Sequence, residues 1–152
     1  MRPTRVIGGF AAFIALLPFA FAQSSQSGSA AEAKAMLERA ITELKANQES
    51  AVEKFKKGEP GFRDRDLYVL CFNMSDGKIV AHAVQTMIDM DIRTIKDANG
   101  KAFGQELFEV AKENLITEVT YMFPRPGSNE PVQKVSYVTR LENIGCGVGY
   151  YK

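Results

Sequence analysis

Apolar residues recur every three or four positions between residues 29 and 57, and this period predicts one long amphipathic helix. Its apolar stripe consists of Leu37, Ile41, Leu44, Ala51 and Phe55. Ser29 and Glu32 have the spacing of a capping box, which marks the start of a helix because each side chain accepts the backbone N–H of the other residue. The Gly-Glu-Pro-Gly sequence at residues 58–61 ends the helix, because proline lacks an N–H and glycine accepts the left-handed turn.

A β-hairpin is predicted over residues 66–82. Residues 66–74 form a short run of β-branched, aromatic and aliphatic side chains, which favours a buried strand. Asp76 and Gly77 supply the two positive-φ positions that a type I′ turn needs. The second strand, residues 79–82, ends on His82, the only histidine of the sequence.

The second half of the chain predicts a connection, another helix and three antiparallel strands. The segments are a connection at 83–99, a turn at 97–100, a helix at 102–115, and strands at 116–124, 132–140 and 144–151. Gly145, Gly147 and Gly149 alternate in the last strand, so a bulky neighbour, either a helix backbone or a ligand, is expected against that face. This order predicts an α+β domain with a long N-terminal helix packed on a five-stranded antiparallel sheet.

The first 22 residues are typical of a secretory signal peptide. Two arginines precede an uncharged apolar run at residues 6–17, and Ala-Phe-Ala at residues 20–22 is a small-x-small cleavage site. The run is shorter than the about 20 residues that a membrane-spanning helix needs, which favours cleavage over a retained anchor. Residues 23–29 are rich in Ser, Gln and Gly and predict a flexible linker, so the folded domain is expected at residues 30–152.

Charge and hydropathy narrow the classes of partner. The predicted signal peptide carries two arginines and no acid, so the rest of the chain has 17 basic and 18 acidic residues. This balance argues against a broad surface for nucleic acid. No second apolar run is long enough to cross a bilayer, so we expect a soluble protein in the periplasm or a secreted one, with no membrane span after cleavage.

Two features leave alternatives open. Cys71 lies in the first predicted strand and Cys146 in the last. In an exported protein they form either a disulfide or two buried thiols, depending on which strands pair. The long helix either packs along its own sheet or pairs with a second copy in a homodimer, because one apolar stripe satisfies both arrangements.

Several short motifs, taken in order, resemble the single Cache domains of type 2, which are extracytoplasmic sensory modules with a PAS-like architecture. The motifs are Asp-Gly in the hairpin with the histidine after it, Lys-Asp-x-x-Gly-Lys-x-Phe at 96–103, Tyr-x-Phe-Pro at 121–124, Lys-x-x-Tyr-Val at 134–138 and Gly-x-Gly-x-Tyr at 147–151. Their joint order over roughly residues 30–152 is more specific than any one motif. Most family members are parts of chemoreceptors and histidine kinases, and this chain ends directly after the last strand, so the resemblance implies a free-standing version.

The resemblance also implies a strand arrangement and a class of ligand. It places the first and last strands side by side, which brings Cys71 and Cys146 within reach of a disulfide. Family members commonly bind carboxylates of two or three carbons, such as acetate, propionate, pyruvate or lactate. The chain departs from the family pattern at Ala83, where proline is usual, and at Asp89 and Asp91, whose charges make the surroundings less favourable for an anion.

Four residues are candidates for binding a small carboxylate: His82, Tyr121, Lys134 and Tyr137. By resemblance, Lys134 and Tyr137 match the Lys-x-x-Tyr motif, and Tyr121 matches the tyrosine of the preceding strand. Lys134 supplies charge, the tyrosines supply hydroxyl donors, and His82 donates from either ring nitrogen. Residues three apart on a regular strand face opposite sides, so Lys134 and Tyr137 converge only across a bulge. Arg140, near a turn, is a weaker candidate.

The sequence lacks the motifs of an enzyme, a metal site or a cofactor site. One histidine and two cysteines are too few for the usual zinc sites, and haem, nucleotide and hydrolase fingerprints are missing. We therefore predict a non-enzymatic periplasmic sensor that binds a short-chain carboxylate and reports to a separate signalling partner. The alternative is a ligand-free interaction module that dimerises through the long helix. A hydrolase with a Cys/His pair is a distant third, because a cysteine within an apolar strand should be inert.

Overall fold

The computed structural model describes residues 27–152. The predicted signal peptide, residues 1–22, and residues 23–26 of the predicted linker lie outside this part of the chain. Of the remaining linker residues, Gly28 is buried, and its amide donates a hydrogen bond to Asp66 Oδ1 at 2.7 Å. No helix within the described range is long and apolar enough to cross a membrane.

The predicted long N-terminal helix is present as α1 (Ala30–Ala46), and it begins at the predicted capping box. The Glu32 N–H donates to Ser29 Oγ at 3.3 Å, and the Ser29 N–H donates to the Glu32 carboxylate at 2.7 Å. Two of the amide groups that a helix start leaves unpaired are thus satisfied by side chains, which explains why the helix begins at this residue.

The predicted single helix to residue 57 is wrong in one respect, because Asn47 interrupts it. Asn47 is extended (φ −162°, ψ 108°) and caps a second helix, α2 (Gln48–Lys57). Its side chain accepts the Ser50 N–H at 2.9 Å, a local bond that competes with continuation of the helix. Gly58, in the left-handed conformation at φ 65°, ends α2 as predicted.

One face of α1 is buried against the sheet. Its buried residues are Ala33, Met36, Leu37, Ala40 and Leu44. They belong to one hydrophobic core together with α2 and the facing side chains of the sheet, among them Val69 and Val148. The apolar stripe is therefore occupied within a single chain, and pairing of α1 with a second copy stays a prediction.

Six strands form one antiparallel sheet that is five positions wide. The strands are β1 (Arg63–Asp64), β2 (Leu67–Asn73), β3 (Ile79–Ala81), β4 (Thr117–Pro124), β5 (Pro131–Leu141) and β6 (Ile144–Tyr151). Their order is β1-β2-β6-β5-β4, and β3 pairs with β2 further along the edge that β1 occupies. This topology confirms the predicted α+β fold and places the first long strand beside the last.

The pairing of β2 with β6 places the two cysteines opposite each other. Cys71 and Cys146 are partners in the ladder with a Cα–Cα distance of 4.1 Å, and they form a disulfide. This is the pairing that the resemblance implied. Neither cysteine is a free thiol, so the hydrolase alternative has no cysteine nucleophile.

The hairpin between β2 and β3 does not contain the predicted type I′ turn. Gly77 has a positive φ of 76°, but Asp76 does not. The Gly77 N–H donates to Asn73 O at 2.9 Å and the Asn73 N–H donates to Lys78 O at 2.8 Å, which closes a loop over residues 74–77. The Asp76 side chain accepts the Lys78 N–H at 3.0 Å, so it supports the turn without adopting a left-handed conformation.

The connection between β3 and the next helix contains two 3₁₀ turns, Gln85–Met87 and Ile92–Thr94. The helix that follows, α3 (Phe103–Val110), is shorter than the predicted segment 102–115, because the chain becomes extended at Ala111 and left-handed at Asn114. It packs on the face of the sheet opposite α1 and covers a second hydrophobic core. The sheet thus separates two cores, one under α1 and one under α3.

Side chains cover part of the free edge of β4. The Met122 N–H donates to Asp97 Oδ2 at 3.1 Å, and Lys101 Nζ donates to Thr120 O at 2.6 Å. Asp97 itself belongs to the predicted turn, which the Gly100 N–H closes onto Asp97 O at 2.9 Å. These bonds satisfy backbone groups that would otherwise be available to another strand.

Candidate ligand-binding site

A small closed pocket lies between the α3 face of the sheet, α3 itself and the connection after β3. The sheet contributes Tyr68, Tyr121, Lys134 and Ser136, α3 contributes Phe103, and the connection contributes Met87, Ile92 and Ile95. The space open to the centre of a water molecule is about 20 Å³. A volume of this size holds about one water molecule.

Lys134 brings a buried cation into this pocket. Its side chain extends from β5, and the residue is 2% exposed. The ammonium Nζ donates to the Tyr68 hydroxyl at 2.9 Å and lies 4.1 Å from the centroid of the same ring. It also lies 4.8 Å from the Tyr151 ring centroid and 5.4 Å from that of Phe123. No ion pair between described residues includes Lys134, so rings and one hydroxyl are its immediate surroundings.

Glycine in β6 makes room for this lysine. A β-carbon at Gly149 would overlap the Lys134 side chain, and one at Gly145 would overlap the Phe72 ring. A helix backbone does not lie against this face, because side chains of the adjacent strands occupy it; the alternative of a ligand stays a prediction. Gly149 nevertheless also lines the pocket, so the glycine strand does border the candidate site.

Tyr68 and His82 form a buried hydrogen-bond chain with Lys134. The Val84 N–H donates to His82 Nδ1 at 2.9 Å, so a neutral His82 ring carries its proton on Nε2. His82 Nε2 is 3.2 Å from the Tyr68 oxygen and therefore donates to it. The Tyr68 oxygen then accepts from both His82 and Lys134, and its own hydroxyl proton is directed at the Tyr151 oxygen.

Stacked aromatic rings form the apolar wall of the pocket. Phe103 of α3 stacks on Tyr121 of β4 with ring centroids 4.0 Å apart and an interplanar angle of 6°. The Phe123 ring stands edge-on to both, with centroids 5.8 Å and 6.1 Å away. The Tyr121 hydroxyl is hydrogen-bonded to Ser136 Oγ at 2.8 Å, so the polar tip of this wall already has a partner.

A charged pair lies behind Lys134 at the end of the sheet. Asp66 is 6% exposed, and its Oδ2 accepts from Arg125 Nε at 3.3 Å. The Arg125 guanidinium lies over the Tyr151 ring, 4.8 Å from its centroid, and the Tyr151 hydroxyl donates to Pro124 O at 2.7 Å. The buried carboxylate thus has a cationic partner, as burial of a charge requires.

Burial shifts the protonation of the pocket residues in a consistent way. It lowers the pKa of Lys134 to about 7, although attraction to Asp66 opposes this effect. Burial, with the Lys134 charge beside it, also lowers the pKa of His82 to about 3, so the ring is neutral at pH 7. The pKa values of Tyr68 and Tyr121 are raised by burial, which keeps both hydroxyls protonated as donors.

Three of the four predicted site residues meet in this pocket. His82, Tyr121 and Lys134 line it, but Tyr137 does not. Tyr137 lies on the opposite face of β5, where its ring packs against Tyr150 with centroids 6.0 Å apart. The register of β5 with both neighbours is continuous from residue 134 to 137, so the bulge that convergence requires is absent there. The simple alternation of side chains along a strand thus places Tyr137 away from this pocket, and its role in binding stays a prediction.

The sequence interpretation missed the two other polar side chains of the lining, Tyr68 and Ser136. Ser136 lies two positions after Lys134 and so faces the same side of β5, which the alternation rule could have shown. Tyr68 lies inside an apolar strand and looks like an ordinary core aromatic. Its role depends on the approach of Lys134, which is 66 residues away in sequence. Arg140 lies outside the pocket, with its guanidinium 3.7 Å from Glu113.

Metal ligation has no support in the part of the chain that the structure describes. No group of three or more His, Cys, Asp or Glu side chains there is close enough to hold an ion. The chemistry that the pocket offers is therefore a cation, one donor hydroxyl and an apolar wall.

Comparison with known proteins identifies sensory domains. The family model described as Single Cache domain 2 matches residues 20–151. The chain is 30% identical over 86 residues to the methyl-accepting chemotaxis protein McpP of Pseudomonas putida. The matched segment covers 57% of this chain but 16% of that protein, so the chain spans a small part of its relative's length.

Three solved structures share the fold. A methyl-accepting chemotaxis protein from Vibrio parahaemolyticus has a TM-score of 0.65 and 22% identity, over 80% of this chain and 86% of that chain. A periplasmic sensor domain of a chemotaxis protein has a TM-score of 0.60 and 23% identity, over 76% and 85%. A Cache chemosensory domain, described in terms of carboxylic acid recognition, has a TM-score of 0.59 and 25% identity, over 76% and 83%.

Proposed function

This chain belongs to the single Cache domain 2 family, whose members are sensory domains, and we propose that it binds a short-chain carboxylate in the pocket around Lys134. The observation that carries the proposal is the buried Lys134 ammonium, which has no carboxylate in contact with it and points into a pocket lined by aromatic rings. A buried cation without an ionic partner is costly, and an anionic ligand would supply that partner.

The ligand carboxylate binds between Lys134 and Tyr68. Lys134 supplies a charge-assisted hydrogen bond, and Tyr68 supplies its hydroxyl proton, which turns from Tyr151 to the ligand. His82 holds the Tyr68 oxygen from behind at 3.2 Å and so orients that proton. The aliphatic part of the ligand lies against Phe103 and Tyr121. The small size of the pocket favours tails of one or two carbons, since a larger ligand would displace these packed rings.

Binding requires the pocket cover to open. The cover consists of the connection after β3, which contributes Met87, Ile92 and Ile95 to the lining. A two- or three-carbon acid is larger than the about one water molecule for which the closed pocket has room. The cover carries few buried side chains besides Ile92, and Met90 is 43% exposed. Opening must break the backbone bonds that Asp89 and Met90 make with Ile79 and that Ile92 makes with Gly77, each 2.9 Å long.

The acidic residues of the cover do not oppose an anion in the pocket. Asp91 is paired with Arg93, with Arg93 Nε 2.8 Å from Asp91 Oδ1, and the same arginine donates to Asp76 O. Asp89 is exposed. Neither aspartate lines the pocket. This removes one of the two reasons for favouring a ligand-free interaction module, the other being alanine at position 83. Because the sheet covers the buried face of α1, that alternative would need another surface of the helix.

The setting of the proposed function is the periplasm or the extracellular space, with a separate signalling partner. The proposal is non-enzymatic: both cysteines are in the disulfide, and the pocket offers binding groups without a nucleophile–base pair.

A thermal-shift screen against acetate, propionate, pyruvate and lactate tests the proposal. A ligand at about a hundred times its dissociation constant raises the free energy of unfolding by about 2.7 kcal/mol, which a melting curve resolves. Tyr68→Phe should weaken binding of a hit about tenfold, as expected for loss of one hydrogen bond to a charged group. Tyr137→Phe is the matched control on the opposite sheet face and should bind as the wild type does. Equal effects of the two variants would place the ligand elsewhere, and no hit among the acids would contradict the proposed function.

A further inference from the structure

The carboxylate of Asp66 joins two parts of the domain that are distant in sequence. Its Oδ1 accepts the Gly28 N–H at 2.7 Å, and its Oδ2 accepts from Arg125 Nε at 3.3 Å. The side chain is nearly buried, with the residue 6% exposed. Each oxygen therefore serves a different segment, and loss of either partner leaves a buried charge less well satisfied.

On one side, this bond fixes the N-terminal anchor, by which we mean Gly28 docked on Asp66. The anchor is built for close contact, because a β-carbon at Gly28 would overlap the Leu67 side chain. The next residue, Ser29, begins the capping box of α1. Whatever moves Asp66 therefore acts directly on the start of α1.

On the other side, contacts lead from Asp66 to the pocket. Arg125 lies over the Tyr151 ring at 4.8 Å, and Lys134 Nζ lies 4.8 Å from the centroid of the same ring. Lys134 and Tyr151 are also partners in the pairing of β5 with β6. Tyr151 is thus held between the pocket cation and the cation that pairs with Asp66.

We propose that Asp66 couples occupation of the Lys134 pocket to the N-terminal anchor at Gly28, with Arg125 and Tyr151 as the intermediate contacts. The coupling rests on the proposed function, since it requires an anion to bind at Lys134. Below about pH 7, where Lys134 is protonated, an anion there offsets the attraction between Lys134 and Asp66, so the Asp66 carboxylate draws more strongly on its two donors, Gly28 and Arg125. Ligand binding therefore tightens the anchor, and by linkage a loosened anchor weakens ligand binding to the same extent.

Amide hydrogen exchange measures this coupling at Gly28. In the wild-type protein at pH 6, saturating propionate should slow exchange of the Gly28 amide about fivefold or more relative to the Phe55 amide in α2, which lies outside the network. Asp66→Asn keeps an acceptor for Gly28 but removes the charge, and this ligand-dependent slowing should disappear. Arg125→Gln is a milder second variant and should reduce it, which keeps the test decisive if Asp66→Asn folds poorly.

Arg65→Gln is the matched control. Arg65 holds the same segment from outside the pocket network, through a hydrogen bond to Ser27 O at 3.3 Å and an ion pair with Glu32. Its loss should speed exchange at Gly28 with or without ligand but leave the ligand-dependent slowing intact. Wild-type protein that binds propionate with unchanged exchange at Gly28 would overturn the coupling and leave the proposed function standing.

A ligand-free comparison separates the coupling from the ligand. At pH 6, Lys134→Met removes the same attraction on Asp66 that an anion offsets, so it should slow exchange at Gly28 relative to Phe55 without any acid present. If no acid binds and Lys134→Met leaves Gly28 unchanged, both proposals fail. If no acid binds but Lys134→Met slows Gly28, the network stands and the carboxylate assignment fails.

Discussion

Replacing Lys134 by methionine should stabilise the ligand-free protein while abolishing carboxylate binding. Methionine has a similar length and flexibility, so it can follow the path of the lysine through the aromatic rings without overpacking. It removes a cation that is 2% exposed and has no carboxylate in contact. The ligand-free fold therefore loses the energetic cost of a buried cation, a cost that the proposed anion would relieve at pH 7 and below.

The size of the effect follows from the Lys134 pKa, which burial lowers from 10.5 to about 7. At about 1.4 kcal/mol for each tenfold change in protonation, this corresponds to an upper bound of about 5 kcal/mol for the protonated form. The variant also loses cation–π contacts with Tyr68, Tyr151 and Phe123, which together offset about 2 kcal/mol of that gain. We expect a net increase of about 2 to 4 kcal/mol in the free energy of unfolding at pH 7, or about 3 °C in melting temperature per kcal/mol.

The gain should depend on pH in a defined direction. Because the folded-state pKa lies below the unfolded value, the burden is complete below about pH 7. It fades as the pH rises towards 10.5, where the unfolded chain also loses the proton. Urea unfolding of both proteins from pH 6 to pH 10 should therefore show two stability curves that converge with rising pH.

Lys34→Met is the control, since Lys34 is exposed on α1 and its replacement should change stability by less than about 0.5 kcal/mol. The reasoning is refuted if Lys134→Met lowers stability at pH 7, or if its advantage is the same at pH 6 and pH 10. Either result would mean that the empty pocket already stabilises the Lys134 charge, so that no anion is needed to offset the cost of its burial.

Three further predictions concern other parts of the structure. Carboxylate binding at pH 8 should take up close to one proton, because an anion raises the pKa of Lys134 from about 7. Calorimetry in buffers of different ionisation enthalpy measures the number of protons taken up. An affinity that does not change from pH 6 to pH 9 would contradict the prediction. Replacing both Cys71 and Cys146 by alanine should lower the free energy of unfolding by about 4 kcal/mol, since their disulfide closes a loop with a sequence separation of 75. A reductant should reproduce this loss in the wild-type protein. Ser29→Ala should lower the free energy of unfolding by about 1 kcal/mol through loss of the capping box with Glu32, as measured by urea unfolding. An unchanged unfolding midpoint would show that the anchor at Gly28 alone holds the start of α1.

The sequence was sufficient for features that depend on neighbouring residues. The capping box at Ser29, the end of α2 at Gly58 and the turn at Asp97 each use side-chain chemistry within a few positions, and all three are present. Asn47 shows the limit of this reasoning. A single polar residue on the exposed side of a helical pattern looks harmless, but its own cap to Ser50 divides the helix.

The candidate site was predictable where strand alternation applies and unpredictable where distant segments meet. Lys134 and Tyr121 carry the resemblance and reach the pocket, whereas Tyr137 is excluded by the alternation that had already raised the difficulty. Tyr68 needed the three-dimensional structure, because nothing in its local sequence distinguishes a tyrosine that accepts from Lys134 and His82 from a tyrosine that fills a core.

Under the proposed function, the cover over the pocket would set a response time for the protein. Since the pocket has room for about one water molecule, a carboxylate would enter and leave during openings of the segment that contains Met87 and Ile92. Loop openings of this kind take microseconds to milliseconds or longer, much slower than the arrival of a small acid at the surface. Occupancy then follows the average concentration over many encounters, and brief fluctuations are filtered out before any partner can register them.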